Sequence, residues 1–338
     1  MTFILMYIMS GVYCIVFVIG FFGNLWVIIF LSKILYAKKF PNNNTFRHII
    51  SYILTLSIVD LLVLLMIPLL LGQIFFESWP FGYIGCKLFW AIENINKILS
   101  IGILTTMSFE RLLAVYRPIN RTFCKKCNFW FTIISLALFS VLLNIPIIYY
   151  ADILEHEVSG DEDDTIITRR ICRSELPDDI MPYFITYMFS FCYILPAICI
   201  SFCYIYLIKF IKRRPLSGCI GMTSNYAKKV TRSILKVSLF HFCCWGPFWL
   251  MLLIPVLDKL NMIPDINVHY LILFKFITSF LPYINSMGNW YFYAVMNREI
   301  MSWSSEVFRK SKLIRIKKLG SNVKKKLSFR SAENVVYV

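Results

Sequence analysis

Two residues four apart, Glu93 and Lys97, carry opposite charges inside an otherwise largely apolar stretch that runs from Cys86 to Pro118. A helix rises ~1.5 Å per residue, so this stretch is long enough to cross a bilayer at a tilt. Its middle holds Glu93, Asn96, Lys97 and Ser100, a set that a lipid-facing helix would not tolerate. Polar groups at membrane depth face a protein interior or a watery cavity, and they usually mark function. Glu93 can hold Lys97 in an internal pair, because an acid four residues ahead of a base is the favoured order on a helix. Asp60 is a second acid at mid-membrane with no basic residue in its own span. A bare carboxylate there is costly, so it must be protonated, paired or bound to a cation. No exposed nucleophile–base pair or metal motif is visible, so no enzyme is expected. Cys124 and Cys127 have half of a zinc-site spacing without the other half.

These residues need a bundle to hold them. The chain has 338 residues, 58% of them hydrophobic and only 16% charged, with mean hydropathy +0.67. A soluble domain of this length could not hide that much apolar surface. Seven apolar runs, at about 3–32, 48–72, 86–116, 128–150, 182–208, 230–256 and 268–294, have the length of membrane-spanning helices. Backbone groups in lipid must bond within their own segment, which predicts an all-α membrane protein, a seven-helix bundle. The third run, with polar groups along its length, is the central post.

Charge orients the bundle. Of 35 Lys and Arg, 26 fall in the segments 33–47, 117–126, 209–232 and 295–338, against four in the opposite set. The Lys- and Arg-rich side is cytoplasmic, which leaves the N-terminus outside. The net charge of +16 is therefore mostly a topology signal and points to anionic membrane lipids, not to nucleic acid. No cleavable signal peptide is expected, and the first span acts as its own insertion signal. Residues 1–295 are read as the membrane domain, 296–310 as an amphipathic surface helix with Ile300, Trp303 and Phe308 on its apolar side, and 311–338 as a disordered basic tail. The sequons at Asn43 and Asn120 fall on the cytoplasmic side, where glycosylation is not expected.

Outside, the first loop is short. The second, 150–181, carries ten acids against three Arg, including the run Asp161-Glu162-Asp163-Asp164. Most of the eleven cysteines lie within spans, where a thiol is a small apolar filler. Cys86 and Cys172 are the two expected on the oxidising side, so they are expected to pair.

Several motifs then occur in one order: Gly23-Asn24, Leu56 to Asp60, Cys86 with Cys172, Glu110-Arg111, Pro196 with Tyr204, Cys244-Trp245-Gly246-Pro247, and Asn289 to Tyr293. Together they resemble the rhodopsin-like G-protein-coupled receptors across all seven spans. Trp79-Pro80-Phe81-Gly82, Pro68 and Lys229-Val230-Thr231-Arg232 are similar to the somatostatin, opioid and allatostatin-C peptide receptors. There are departures. The family's Asp-Arg-Tyr reads Glu110-Arg111-Leu112. Its fourth-span Trp is Ala137. The aromatic one turn below Trp245 is His241, and the family's Asn-Pro-x-x-Tyr reads Asn289-Trp290-Tyr291-Phe292-Tyr293.

The resemblance implies a receptor in the plasma membrane, crossing it several times. It takes an extracellular, basic neuropeptide and engages a heterotrimeric G protein of the inhibitory class, with arrestin as a further partner. It implies a ligand site at Glu93, Lys97, Phe248, Trp249, Ser279 and Tyr283, in which Glu93 matches an aspartate that pairs with a ligand cation in amine, opioid and somatostatin-like receptors, so that a ligand Lys or Arg would displace Lys97. It implies a sodium pocket at Asp60, Asn96, Ser100, Asn285, Ser286 and Asn289, for which a water-filled network is the alternative, and no other cofactor. Arg111, restrained by Glu110 and Thr231, would swing toward Tyr204 on activation, with Ile119 as the apolar knob of the second inner loop, Trp245 as the pivot and Tyr293 completing the inner switch. An opsin is disfavoured, because Tyr283 stands where the retinal-bearing lysine would be. A transporter is disfavoured by the lack of an internal repeat. The alternatives are a chemosensory receptor for small molecules and a decoy or constitutively active receptor-like protein.

Overall fold

A computed structural model describes residues 2–36, 44–116, 129–159, 166–213, 221–262 and 268–294. Ile119, the acidic run 161–164, the surface helix at 296–310 and the tail at 311–338 lie outside the described residues. Seven spans are present among those described. The first is Thr2–Tyr36. The second is Asn44–Leu64 continued by Ile67–Phe75. The third is Gly82–Tyr116 and the fourth Phe129–Tyr149. The fifth runs from Met181–Phe189 through a π turn at Ser190–Ile194 into Leu195–Arg213. The sixth is Gly221–Lys259. The seventh starts as Val268–Ser279 and resumes over 281–294. Six of these helices are long and apolar enough to cross a membrane by composition alone. The third also carries Lys87, Glu93, Lys97, Glu110 and Arg111, as a post lined by the other helices can.

The interruptions follow the prolines. Pro68 sits in the first turn of Ile67–Phe75, where a missing N–H costs nothing, and the chain turns at Leu65 and Met66 just before it. Pro196 cannot donate to the carbonyl four residues back. The helix widens immediately ahead of it, with the Leu195 N–H bonded five residues back to the Ser190 carbonyl. Such single π turns are rare and mark functional segments; this one buries Cys192. The seventh span turns at Phe280, ahead of Pro282.

The bundle is all-helical as expected, and one element outside it is not helical. The second outer loop contains an antiparallel hairpin, β1 (Ala151–Ser159) and β2 (Ile166–Ser174), with Ile153 opposite Cys172. The disulfide Cys86–Cys172 forms as expected and fastens β2 to the third span. The Trp79 N–H also donates to the Arg170 carbonyl at 2.6 Å. Trp79 is buried against the disulfide and donates its ring N–H to the Gly82 carbonyl at 2.9 Å. Gly82 has φ +69°, a left-handed conformation that glycine adopts without strain, and it opens the third span. The motif Trp79 to Gly82 is thus the hinge on which the hairpin is hung over the bundle.

Candidate functional site: a polar column along the third span

The column starts at Glu93, in the outer half. Its carboxylate accepts a hydrogen bond from the Tyr283 hydroxyl of the seventh span. The ion pair with Lys97 that the spacing favoured is not formed. Lys97 Nζ donates to Asn94 Oδ1 at 2.7 Å and sits 5.1 Å from the centroid of the Phe248 ring, within cation–π range. Asn94 is braced by its own bond to the Trp90 carbonyl at 2.8 Å. A neutral donor across the bundle thus takes the place of the local base. The reason is geometric: Tyr283 reaches Glu93 from a facing helix, while Lys97 gains an amide oxygen and an aromatic face on its own side.

Below Lys97 lies an aromatic floor. Phe248 meets Trp245 edge-on at 5.4 Å and Trp249 at 5.9 Å, and Trp249 packs on Phe189 at 5.8 Å. Trp245 is buried, with the His241 ring tilted against it at 5.7 Å. Phe248 thus joins Lys97 to Trp245 and Trp249. Tyr283 lies on Glu93 instead, and Ser279 is linked to it through Tyr13. Ser279 Oγ gives its proton to the Phe276 carbonyl at 2.8 Å, so Tyr13 donates to Ser279 at 3.3 Å. The Tyr13 ring also meets Tyr283 edge-on at 5.4 Å. A cavity of about 620 Å³ opens on this second side, between the first, second and seventh spans and β2. Of the expected ligand residues it includes only Ser279.

At mid-membrane, Asp60 is fully buried and its Oδ2 accepts from Asn289 Nδ2 at 2.8 Å. Asn96, Ser100, Asn285 and Ser286 are buried on the third and seventh spans, the positions expected to complete the pocket. Ser100 donates to the Asn96 carbonyl at 2.7 Å. The Oδ1 atoms of Asp60, Asn96, Asn285 and Asn289 and the Ser286 Oγ are buried without a protein partner. Buried oxygens of this kind are normally satisfied by water or an ion. Asn24 ties the first span in, donating to the carbonyls of Gly20 at 2.9 Å and Ser286 at 3.0 Å.

At the inner end, Glu110 accepts from the Tyr52 hydroxyl at 3.1 Å and lies 3.6 Å from His48 Nδ1. Both partners come from the second span. Arg111 is buried beside it in sequence. Tyr204 donates to the Thr231 carbonyl at 3.4 Å, joining the fifth and sixth spans. Tyr293 is buried in the same apolar cluster as Tyr204 and Leu112.

Residues 23–293 match the family described as 7 transmembrane receptor (rhodopsin family). The chain belongs to the rhodopsin family of G-protein-coupled receptors. Neuropeptide receptor 18 of Caenorhabditis elegans is 30% identical over 315 residues, covering 87% of this chain and 65% of that protein. Somatostatin receptor type 2 of Mus musculus is 29% identical over 295 residues, 86% of this chain and 74% of its own. Somatostatin receptor type 1 of Rattus norvegicus is 27% identical over 291 residues, 83% and 66%. The chain thus spans about two thirds to three quarters of the length of these relatives. The receptor is a multi-pass protein of the plasma membrane, in a family that is not enzymatic.

Tyr13, Asn94, Tyr52 and His48 were not singled out in the receptor's sequence. Tyr52 and His48 had a signal, since two polar-tipped rings four apart share one face at the inner end of a span. Asn94 had one too, three residues ahead of Lys97. Tyr13 had none, because its partners are more than 260 residues away.

Proposed function

We propose that the receptor binds an extracellular basic peptide through Glu93 and passes the signal to a heterotrimeric G protein of the inhibitory class. The observation that carries this reading is the partner of Glu93. Its carboxylate faces a neutral hydroxyl, and the cation of its own helix is engaged by Asn94 and Phe248. An incoming Lys or Arg therefore meets an acid whose charge has no direct counter-ion among the described residues. The three Arg of the hairpin loop are each occupied, by Glu77, Glu155 and Glu175, so the acidic excess outside is free to attract a cation. The names of the similar receptors support a peptide, and the likeness to the somatostatin and opioid branch supports the inhibitory class. Arg111, Tyr204 and Tyr293 would form the cleft that G protein, and arrestin after it, would enter. Anionic lipids would hold the basic inner segments.

The oxygens around Asp60 fit a sodium ion, a hard cation that takes carboxylate, amide and hydroxyl oxygens. Asp60, Asn96, Ser286 and Asn289 would supply them, and the ion would favour the resting bundle. Replacing choline by sodium should then raise the unfolding temperature of the receptor but not of Asp60→Asn; equal behaviour would leave water as the occupant.

The functional test is a peptide-library screen on cells expressing the chain, read as G-protein activation. Basic peptides should activate in a pertussis-toxin-sensitive manner. Responses confined to small organic molecules would make it a chemosensory receptor, and full signalling without ligand a constitutive one.

A further inference from the structure

The hairpin over the bundle has two outer edges, and only that of β2 is occupied. There the Arg170 carbonyl accepts the Trp79 N–H at 2.6 Å, and the Arg170 N–H donates to Ser78 Oγ at 3.4 Å. Facing residues of an antiparallel pair alternate between exchanging both backbone bonds and exchanging neither. Arg170 turns both of its groups away from β1, so Glu155, which faces it, turns both of its own away from β2. With a period of two, Ile153 and Glu157 do the same on the outer edge of β1. The Ile153 N–H is met by the Asp152 carboxylate at 2.7 Å. Among the described residues, nothing bonds the outward backbone groups of Glu155 or Glu157. Both side chains are exposed. Glu155 holds Arg170 at 3.0 Å, and Glu157 has no ion-pair partner among the described residues. The root of the strand is fixed, since Ala151 is buried and Cys172, opposite Ile153, is tied to the third span.

An open strand edge is a template for another chain. We infer that the outer edge of β1 docks an extended stretch of the peptide ligand, which joins the hairpin as a further strand with a Lys or Arg opposite Glu157. This rests on the peptide reading and deepens it, by naming the shape of the ligand and a second contact away from Glu93. In strand addition the main chain supplies the bonds and alternate side chains supply the selection. A residue opposite Glu157 exchanges backbone bonds with it and carries its side chain on the same face, so the cation arrives with those bonds. The same acids turn away a second copy of this chain. Edge-to-edge pairing would set Glu155 and Glu157 against their duplicates, and like charges across a pair are destabilising. A segment with cations at alternate positions meets Glu157 and then, two residues on, Glu155.

The probe is a hexapeptide amide of alternating Lys and Val with a fluorophore on its N-terminus, measured by anisotropy on the full chain in detergent. Two isomers of equal composition separate its edges, one N-methylated on the Lys amides and the other on the Val amides. A strand whose Lys faces Glu157 bonds through its Lys amides. Methylating these should weaken binding at least about tenfold, while methylating the Val amides should change it by less than about twofold. On the receptor, Glu157→Pro removes an N–H that lies outside the β1–β2 pairing, and edge strands tolerate such a proline. It should also weaken binding at least about tenfold. Glu157→Gln keeps the N–H and should flatten the salt dependence of binding. If Glu157→Pro does not fold, the two methylated isomers decide the matter on the unsubstituted chain. Absence of probe binding, equal binding of the isomers, or binding that survives Glu157→Pro would overturn the docking edge. Binding lost on Glu93→Gln instead would put the probe inside the bundle, overturning the edge and leaving the peptide reading in place. A receptor that binds the probe through Glu157 yet gives no G-protein response to basic peptides would uphold the edge and sink the Glu93 reading.

Discussion

At the scale of single residues, the choice that Glu93 makes decides the electrostatics of the outer half. Spacing favoured Lys97, and an isolated helix would pair them at a gain of about 0.2–0.5 kcal/mol. In the bundle the hydroxyl of Tyr283 takes the carboxylate, and Lys97 turns to Asn94 and Phe248. Hydrogen bonds to charged groups contribute about 1.5–3 kcal/mol, enough to outweigh the local preference. The two cases separate in double-mutant cycles on thermal stability. Tyr283→Phe combined with Glu93→Gln should show coupling of about 1 kcal/mol or more, and Lys97→Met combined with Glu93→Gln less than half of that. The reverse ranking would restore the internal ion pair as the resting arrangement.

At the scale of elements, Trp290 replaces a proline with a large ring, and the structure shows where that ring goes. It packs against Gly23 of the first span, where a Cβ would overlap it. The kink at the seventh span's turn comes instead at Phe280 and Pro282. Gly23→Ala should therefore force the first and seventh spans apart, lowering surface expression and thermal stability, as overpacking does at about 1–3 kcal/mol. Trp290→Ala in the same chain should recover most of the loss. No recovery would mean that Gly23 acts through something other than this contact. Span number, orientation and the disulfide pair were readable in the sequence because length, hydropathy and the distribution of Lys and Arg act locally. The hairpin was not, because its pairing, from Ala151 with Ser174 to Ser159 with Ile166, exists only once the two strands meet. The buried set around Asp60 was readable as a motif. Tyr283 as the partner of Glu93 was not, because that contact exists only once the third and seventh spans are neighbours.

At the scale of the whole molecule, charge is divided by the membrane: basic inside, acidic in the long outer loop. The described Arg of that loop are already paired, so the run at 161–164 adds to a field that a basic peptide would feel before contact. Opposite charge raises association rates, and salt screens the effect within about 10 Å at 0.1 M. Neutralising Asp161, Glu162, Asp163 and Asp164 together should slow association of a basic peptide and flatten its salt dependence while leaving dissociation nearly unchanged. Unaltered kinetics across salt would remove the loop from the encounter.

The polar column runs from Glu93, held from the seventh span, through Asp60, which joins the second span to the seventh, to Glu110, held from the second. Its entry point is where the proposed function is most exposed to measurement. A basic peptide recovered from the screen can be compared with its analogue in which norleucine replaces the key lysine, on the receptor and on Glu93→Gln, as potency of G-protein activation. Close charge pairs across an interface couple by about 1.5 kcal/mol or more, which is tenfold or more in potency. The native receptor should lose at least that factor on going to norleucine, and Glu93→Gln should respond to the two peptides alike. An equal loss in both receptors would place the ligand's cation somewhere other than Glu93.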